Sequence, residues 1–304
     1  MRENQTIPTL SLLGILLSTV TLFWPPLVAV VRLAVHDDRY FQILAAPLLC
    51  VFLIYWERTK IFSESRFSPR AGVPLLSLAM LLCFAVVGRP SPSNEQAGLV
   101  LAVFAIILAW MAAFILCYGA QSFKTALFPL CCLFLMIPAP LEWMDRITLG
   151  LQHASAATSY AILRLAGIPV FRQGMTFLLP GLSIQVAPEC SGIRSCLVFV
   201  IVGILAGRVF LRSGWRILAL IVLTIPIAIF KNAVRIVVIS SLSVYVDRGI
   251  IDGPLHHNGG PVFAFVGIAL FVPLLYALGT SESGRRRPKA EISCAPADVA
   301  LTSR

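Results

Sequence analysis

Residues 217–244 read ILALIVLTIPIAIFKNAVRIVVISSLSV, an apolar run long enough for one helix to cross a lipid bilayer. A crossing helix needs about 17–25 mostly apolar residues. Seven other runs have a similar character, at about 8–31, 41–56, 72–88, 97–118, 122–137, 191–207 and 261–279. The sequence therefore predicts an all-α polytopic membrane protein with about eight transmembrane helices. The second and fifth runs are short, and the second could instead lie at the membrane interface.

The composition supports a membrane location. The 304 residues are 58% hydrophobic and 12% charged, whereas globular proteins are about 25% charged, so too few polar residues are present to cover a soluble surface. The formal net charge is +10, but the basic residues lie in short clusters between the apolar runs. That pattern is typical of topology control, so the expected surroundings are a lipid bilayer, and no nucleic-acid partner is predicted.

The basic residues also predict which side of the membrane each loop faces. With eight spans, the loops on one side carry 14 Lys and Arg residues and those on the other carry 7. The richer side is expected to be cytoplasmic, which puts both termini inside. Residues 1–280 then form a single transmembrane domain whose N-terminal run is a retained first span rather than a cleaved signal. Residues 281–304 form a basic, disordered cytoplasmic tail.

The long connection at about 138–190 falls on the extracytoplasmic side in this topology. Residues 138–167 carry apolar side chains at helical spacing with polar ones between, which predicts a helix lying on the membrane surface. Residues 168–186 read IPVFRQGMTFLLPGLSIQV. Their β-branched and aromatic residues with Gly and Pro breaks favour a short β-hairpin. This small insertion leads directly to a cysteine.

Cys190 is the strongest candidate for a reactive residue among eight cysteines, five of which lie inside apolar runs. Pro188 fits just before a helix, which predicts Cys190 near the first turn of the sixth span. The N–H groups and partial positive charge of a helix N-terminus favour a thiolate, and Arg194 one turn later would add to that effect. The alternative is a buried structural thiol, because free cysteine often behaves as a small hydrophobe.

Lys231 and Arg235 lie inside the run quoted first, where charged residues are costly and are candidates for function. They are four residues apart and share a helix face, and Asn232 can reach that face as well. Counting along the span puts Arg235 in its outer part, on the side of Cys190. The alternative for Arg235 is a side chain that extends to the lipid headgroups.

Two adjacent histidines, His256 and His257, precede Gly259 and Gly260 in the outer loop before the last span. Neither a carboxylate nor another histidine is placed to complete a metal site, so no metal and no cofactor are predicted. The more specific role for one of these histidines is a general base that activates a thiol. A thiolate can attack a carbonyl, an imidazolium can protonate the leaving amine, and a guanidinium can stabilise the oxyanion or hold the substrate.

The ordered set of Cys190-Ser191-Gly192, Asn232-Ala-Val-Arg235 and a histidine in the next outer loop resembles the exosortase/archaeosortase family of membrane transpeptidases. Members of that family share a cysteine in a C-S-G context, an arginine in an N-x-x-R context and a histidine in the following outer loop. The similarity covers most of the chain and is densest over about 185–275, the predicted catalytic core.

The family's histidine usually precedes a glycine by four positions, which selects His256 with Gly260. An aromatic residue often follows that glycine, whereas Pro261 stands here. This departure keeps His257 open as the alternate.

The resemblance implies a cysteine peptidase or transpeptidase of the bacterial cytoplasmic (inner) membrane, with its active site at the extracytoplasmic face. Its partners would be exported proteins with a C-terminal, PEP-CTERM-like sorting signal: a Pro-Glu-Pro-like motif, a membrane span and a basic tail. Cleavage would pass through a thioacyl-enzyme on Cys190, with His256 as acid/base and Arg235 as stabiliser. The supporting or substrate-binding residues would be Glu189, Ser191, Gly192, Arg194, Lys231 and Asn232.

Hydrolysis and transfer both stay open for the second half of that reaction. The family's hosts are typically Gram-negative bacteria that often make exopolysaccharide. A second hypothesis is therefore a transporter or assembly component for exopolysaccharide export, in which Lys231 and Arg235 line an anionic path and Cys190 is dispensable. A third is a structural membrane scaffold that tolerates all of these changes.

Overall fold

The computed structural model describes residues 6–63, 67–87, 95–253 and 259–284. Within these ranges three short strands, β1 (Phe171–Gln173), β2 (Thr176–Leu179) and β3 (Leu182–Gln185), form one antiparallel sheet. The helices are α1 (Thr6–Leu22), α2 (Trp24–His36), α3 (Gln42–Trp56), α4 (Arg58–Ile61), α5 (Pro69–Val87), α6 (Glu95–Cys131), α7 (Leu141–Leu165), α8 (Ile193–Phe210), α9 (Gly214–Tyr245) and α10 (Gly260–Gly284).

The protein is an all-α polytopic membrane protein, as the sequence predicts. In the described part of the chain five helical segments are long and apolar enough to cross a membrane. The number rises to six if the bent pair α1 and α2 counts as one span. The total of eight spans stays a prediction.

The predicted first span, residues 8–31, is a broken helix rather than a straight one. Residues Ile7–Leu22 and Trp24–His36 meet at an angle of 81°. Pro25 and Pro26 lie in the first turn of α2. Proline has no N–H to donate and its ring clashes with the preceding turn, so α1 ends just before this pair.

The predicted fourth and fifth spans belong to one hydrogen-bonded element, α6, followed by a 3-10 turn at Cys132–Met136. Gly119 interrupts α6 with φ 84° and ψ 171°, a conformation that glycine adopts most readily. The Gln96 amide donates to the Ala139 carbonyl at 3.3 Å, and the rings of Phe104 and Phe134 are 5.9 Å apart. A straight helix would hold these ends far apart at about 1.5 Å per residue. The element therefore folds back on itself at Gly119.

Helix α9 packs against α7, α8 and α10 and is the centre of the C-terminal half. On α8, Gly203 and Gly207 face α9 so closely that a Cβ on either would lie 3.0–3.1 Å from an α9 side chain. Small residues four apart allow transmembrane helices to approach each other in this way. Gly267, near the start of α10, touches the ring of Phe199, near the start of α8. Both helices therefore begin at the same end of the bundle.

The segment between α6 and α8 contains α7 and the sheet. It has three strands rather than the two of a hairpin, because two tight turns, each with a positive-φ glycine, follow one another at Gly174 and Gly181. Phe177 and Leu179 bury one face of β2 in an apolar cluster with Ile236 of α9, and Cys190 packs against that cluster. The sheet thus sits beside α9, and β3 leads the chain towards the cysteine.

Candidate active site

Cys190 lies in a 3-10 turn, Pro188–Ser191, between β3 and α8. Its backbone N–H donates to the Ala187 carbonyl at 2.9 Å. Gly192 then adopts a left-handed conformation with φ 80°, and α8 begins only at Ile193. Cys190 therefore lies close to the start of the span but in a separate turn, which Gly192 divides from the helix. The half-buried cysteine is held by the turn instead.

Asn232 of α9 holds this turn through its side-chain amide. Its side-chain Nδ2 donates to the Cys190 carbonyl at 2.7 Å and to Ser155 Oγ of α7 at 3.1 Å, and the residue is 1% exposed. A Cβ added to Gly192 would lie 2.8 Å from Asn232 Cγ. Gly192 is therefore required twice, for its positive φ and for the close approach of the Asn232 amide. The C-S-G and N-x-x-R motifs meet at this contact.

Ser191 is buried, and its Oγ accepts a long hydrogen bond of 3.4 Å from the Ile193 N–H. This contact helps to start α8, so Ser191 supports the turn from the protein interior. Glu189 belongs to the same turn by its backbone; its side chain is outside the described part of the structure. Both residues were predicted as supporting groups, and only Ser191 has a described contact.

Arg235 lies one helical turn after Asn232 on α9. Cys190, Asn232 and Arg235 line one small pocket of about 40 Å³, which β3 and the outer part of α9 complete. The remaining lining includes the apolar side chains Ile184 and Ile236. Charges interact more strongly in such low-dielectric surroundings than in water, so the guanidinium is well situated to act on an anion formed beside the thiol.

Lys231 has a different environment, although it is four residues from Arg235. It is 2% exposed, and its Nζ donates to Ser195 Oγ of α8 at 2.7 Å. Lys231 is not among the residues that line the Cys190 pocket. Its hydrogen bond joins α8 to α9, so the described contacts assign Lys231 to helix packing next to the site.

Arg194 also makes its described contacts outside the Cys190 pocket. Its Nη1 forms an ion pair with Asp38 Oδ1 at 3.0 Å, and its guanidinium lies 5.4 Å from the centre of the Phe41 ring. Both charged side chains are exposed, so this pair contributes little energy. It ties the start of α8 to the segment between α2 and α3, and the predicted support of the Cys190 thiol by Arg194 has no described contact.

His256 and His257 lie outside the described residues, so the structure gives no position for either. The chain on both sides of them is described. Before them, a 3-10 turn at Arg248–Asp252 packs on α9, and the Arg248 guanidinium lies against Gly181 in the β2–β3 turn. After them, Gly259 accepts from the Phe263 N–H at 3.1 Å as α10 begins. Both flanks are at the end of the bundle that carries Cys190.

Sequence reasoning missed a row of polar residues on α7. All four residues of the row are buried. Ser159 Oγ donates to the Ala233 carbonyl of α9 at 3.3 Å. The Gln152 amide donates to the Val186 carbonyl, at the end of β3. The row consists of Thr148, Gln152, Ser155 and Ser159. Their spacing of three and four residues is visible in the sequence and places them on one face of the helix, but it does not show that this face packs against α9.

The comparisons with known proteins agree with these observations. A family model described as transmembrane exosortase matches residues 33–273, which is 241 of the 304 residues. No curated protein and no solved structure gives a significant match. The matched range includes α3 to α9 and most of α10, and with them the Cys190 turn, Asn232 and Arg235. The chain therefore belongs to the transmembrane exosortase family.

Proposed function

We propose that this protein is a membrane-embedded cysteine transpeptidase or protease that cleaves C-terminal, PEP-CTERM-like sorting signals of exported proteins. The observation that carries the proposal is the single pocket lined by Cys190, Asn232 and Arg235. It brings a candidate nucleophile and a fixed positive charge to one place, next to the turn held by Asn232. Membership in the exosortase family supports the same reaction class.

The proposed reaction has two steps. The Cys190 thiolate attacks the scissile carbonyl, Arg235 stabilises the oxyanion, and the C–N bond breaks as an imidazolium gives its proton to the leaving amine. The product is a thioester between Cys190 and the exported protein. Water or an amine then attacks this thioester, the histidine takes the proton of the attacking group, and the C–S bond breaks to release the Cys190 thiolate. His256 is the proposed acid/base, with His257 as the alternate.

The proposed location is the bacterial inner membrane, with both termini cytoplasmic and the Cys190 pocket at the extracytoplasmic face. The excess of Lys and Arg on the predicted cytoplasmic side supports this orientation. Substrates would reach the pocket after export, still anchored by their own C-terminal span. The lipid bilayer and the anchored substrate are the proposed partners.

The test uses a co-expressed, tagged reporter that ends in a Pro-Glu-Pro motif, a membrane span and a basic tail. Cys190→Ala and Cys190→Ser are expected to abolish shortening of the reporter. Cys196→Ala, which changes a cysteine within α8, is the matched control and should retain it. Mass analysis of the shortened reporter separates hydrolysis, which leaves a free carboxylate, from transfer, which adds the mass of an acceptor. Unchanged shortening by Cys190→Ala would rule the proposal out.

The transport hypothesis rests on Lys231 and Arg235 as charges along one path. The Lys231 ammonium is buried and hydrogen-bonded to Ser195, and Arg235 shares its pocket with Cys190 instead. These contacts favour cysteine chemistry over an anionic path. A transporter would keep its function in Cys190→Ala, so the same variant decides between the two hypotheses.

A further inference from the structure

Strand β3 is an edge strand that ends at the Cys190 pocket. The sheet order is β1-β2-β3, so in the described part of the chain no strand pairs with the outer side of β3. Ile184, Gln185 and the following Val186 line the pocket together with Cys190. An unpaired edge offers a row of N–H and C=O groups to an incoming extended chain. Here that row leads to the candidate nucleophile.

The pairing register shows which backbone groups of β3 face outward. Val186 N–H donates to the Met175 carbonyl at 2.9 Å, towards β2. In an antiparallel pair, hydrogen-bonded and non-hydrogen-bonded positions alternate. Ile184, opposite Phe177, therefore also bonds to β2. The backbone groups of Ser183 and Gln185 point to the open edge, and both residues are exposed.

The pocket at the end of this edge contains a buried acceptor. Because the Cys190 carbonyl can only accept, the Asn232 atom facing it at 2.7 Å must be Nδ2, which fixes the orientation of the amide. Asn232 Oδ1 then has no hydrogen-bond partner among the described residues, although the residue is 1% exposed and lines the pocket. Buried acceptors are usually satisfied, so this oxygen is suited to an N–H brought by a ligand.

We propose that the polypeptide substrate binds as a fourth strand along the outer edge of β3, and that Asn232 Oδ1 accepts one of its main-chain N–H groups beside Cys190. This inference rests on the proposed function and adds how the substrate is held: through its extended main chain, over the residues next to the scissile bond. Main-chain binding of this kind presents the scissile carbonyl in a fixed register and tolerates varied side chains.

The first test removes single N–H groups from the edge. Ser183→Pro and Gln185→Pro should each lower reporter processing by about 3- to 10-fold, the effect of one hydrogen bond. Ser183→Ala and Gln185→Ala keep the N–H, so each should process the reporter faster than the proline variant at the same position. The amount of each variant in the membrane is measured in parallel. Equal processing by the proline and alanine variants at both positions would overturn the inference.

The second test changes the reporter and leaves the enzyme intact, so it does not depend on the folding of any variant. Residues flanking the cleavage site are replaced one at a time by proline and, separately, by alanine. Strand pairing predicts that the proline-specific loss recurs at every second position, since only alternate N–H groups face β3. A proline-specific loss of processing that does not alternate along the reporter would overturn the inference. If strand addition fails but Cys190→Ala is inactive in the same assay, the proposed function still stands. Failure of the inference is therefore distinguishable from failure of the proposed function.

Discussion

Replacing Gly192 by alanine is expected to disrupt the Cys190 turn through Asn232. The new Cβ would lie 2.8 Å from Asn232 Cγ, whereas ordinary contacts begin at 3.4 Å, so the amide must move by about 0.6 Å or more. That movement strains two hydrogen bonds of a buried group, to the Cys190 carbonyl and to Ser155. Leaving such a group unsatisfied costs about 1–3 kcal/mol.

The matched control is Gly174→Ala. Gly174 also has a positive φ, 62°, but a Cβ there would have nothing within 4 Å. Both variants carry the backbone strain of a left-handed alanine, about 1–2 kcal/mol. The difference between them therefore isolates the contact with Asn232, and Gly192→Ala should be the less stable by about 1–3 kcal/mol.

The assay compares thermal unfolding of the purified proteins in detergent with processing of the tagged reporter. A displacement of about 1 Å at a reacting group can reduce a rate about 100-fold, so Gly192→Ala is expected to lose most of its activity while Gly174→Ala keeps it. In an Asn232→Ala background, the added harm of Gly192→Ala should shrink, because the clashing atom is gone. Equal stability and activity of the two single alanine variants would refute the reasoning.

Three further variants test neighbouring contacts. Ser155→Ala removes one acceptor of the Asn232 amide and should lower reporter processing by a few-fold, about the effect of one hydrogen bond; an unchanged rate would mean that this contact does not position the turn. Arg235→Lys keeps the charge but loses the planar guanidinium, and we expect at least about a 10-fold fall in processing at unchanged membrane abundance. Lys231→Met replaces a buried ammonium by an apolar side chain of similar length and removes one hydrogen bond, to Ser195, with an expected effect on stability of about 1 kcal/mol. Normal processing by this variant would support a packing role, whereas complete loss would contradict it.

The membrane class was predictable from the sequence, and the order of the motifs led to the expectation that Cys190, Asn232 and Arg235 lie near one another. Long apolar runs indicate this class because a helix satisfies all of its backbone hydrogen bonds within one segment in lipid. Two charges in one run suggested a shared site, but Lys231 turns to Ser195 on α8 while Arg235 lines the pocket. Periodicity assigns residues to a helix face and does not say which neighbouring helix each side chain meets.

The path of the helices was less predictable than the membrane class. An apolar run has the same hydropathy whether it is straight or bent, so the 81° break before Pro25 did not appear as a gap in the first run. The reversal at Gly119, by contrast, falls in the gap between the predicted runs 97–118 and 122–137. The exact start of the helix after Cys190 was also hard to predict. Pro188 does begin a helical turn, but it is a 3-10 turn that Gly192 ends with a positive φ, close against Asn232 of α9.

The buried polar row of α7 has a consequence for the biogenesis of the protein. Leu141, Trp143, Ile147 and Leu149 of this helix are exposed, whereas the polar row is buried beside Met144 and Leu151. During synthesis α7 leaves the ribosome before α9, the helix that receives Ser155 and Ser159. Until α9 is inserted, these hydroxyl groups lack their native surroundings and the Cys190 turn lacks Asn232. The Cys190 turn therefore reaches its final arrangement only after α9 is inserted. Chains truncated before α9 are expected to have a protease-sensitive α7.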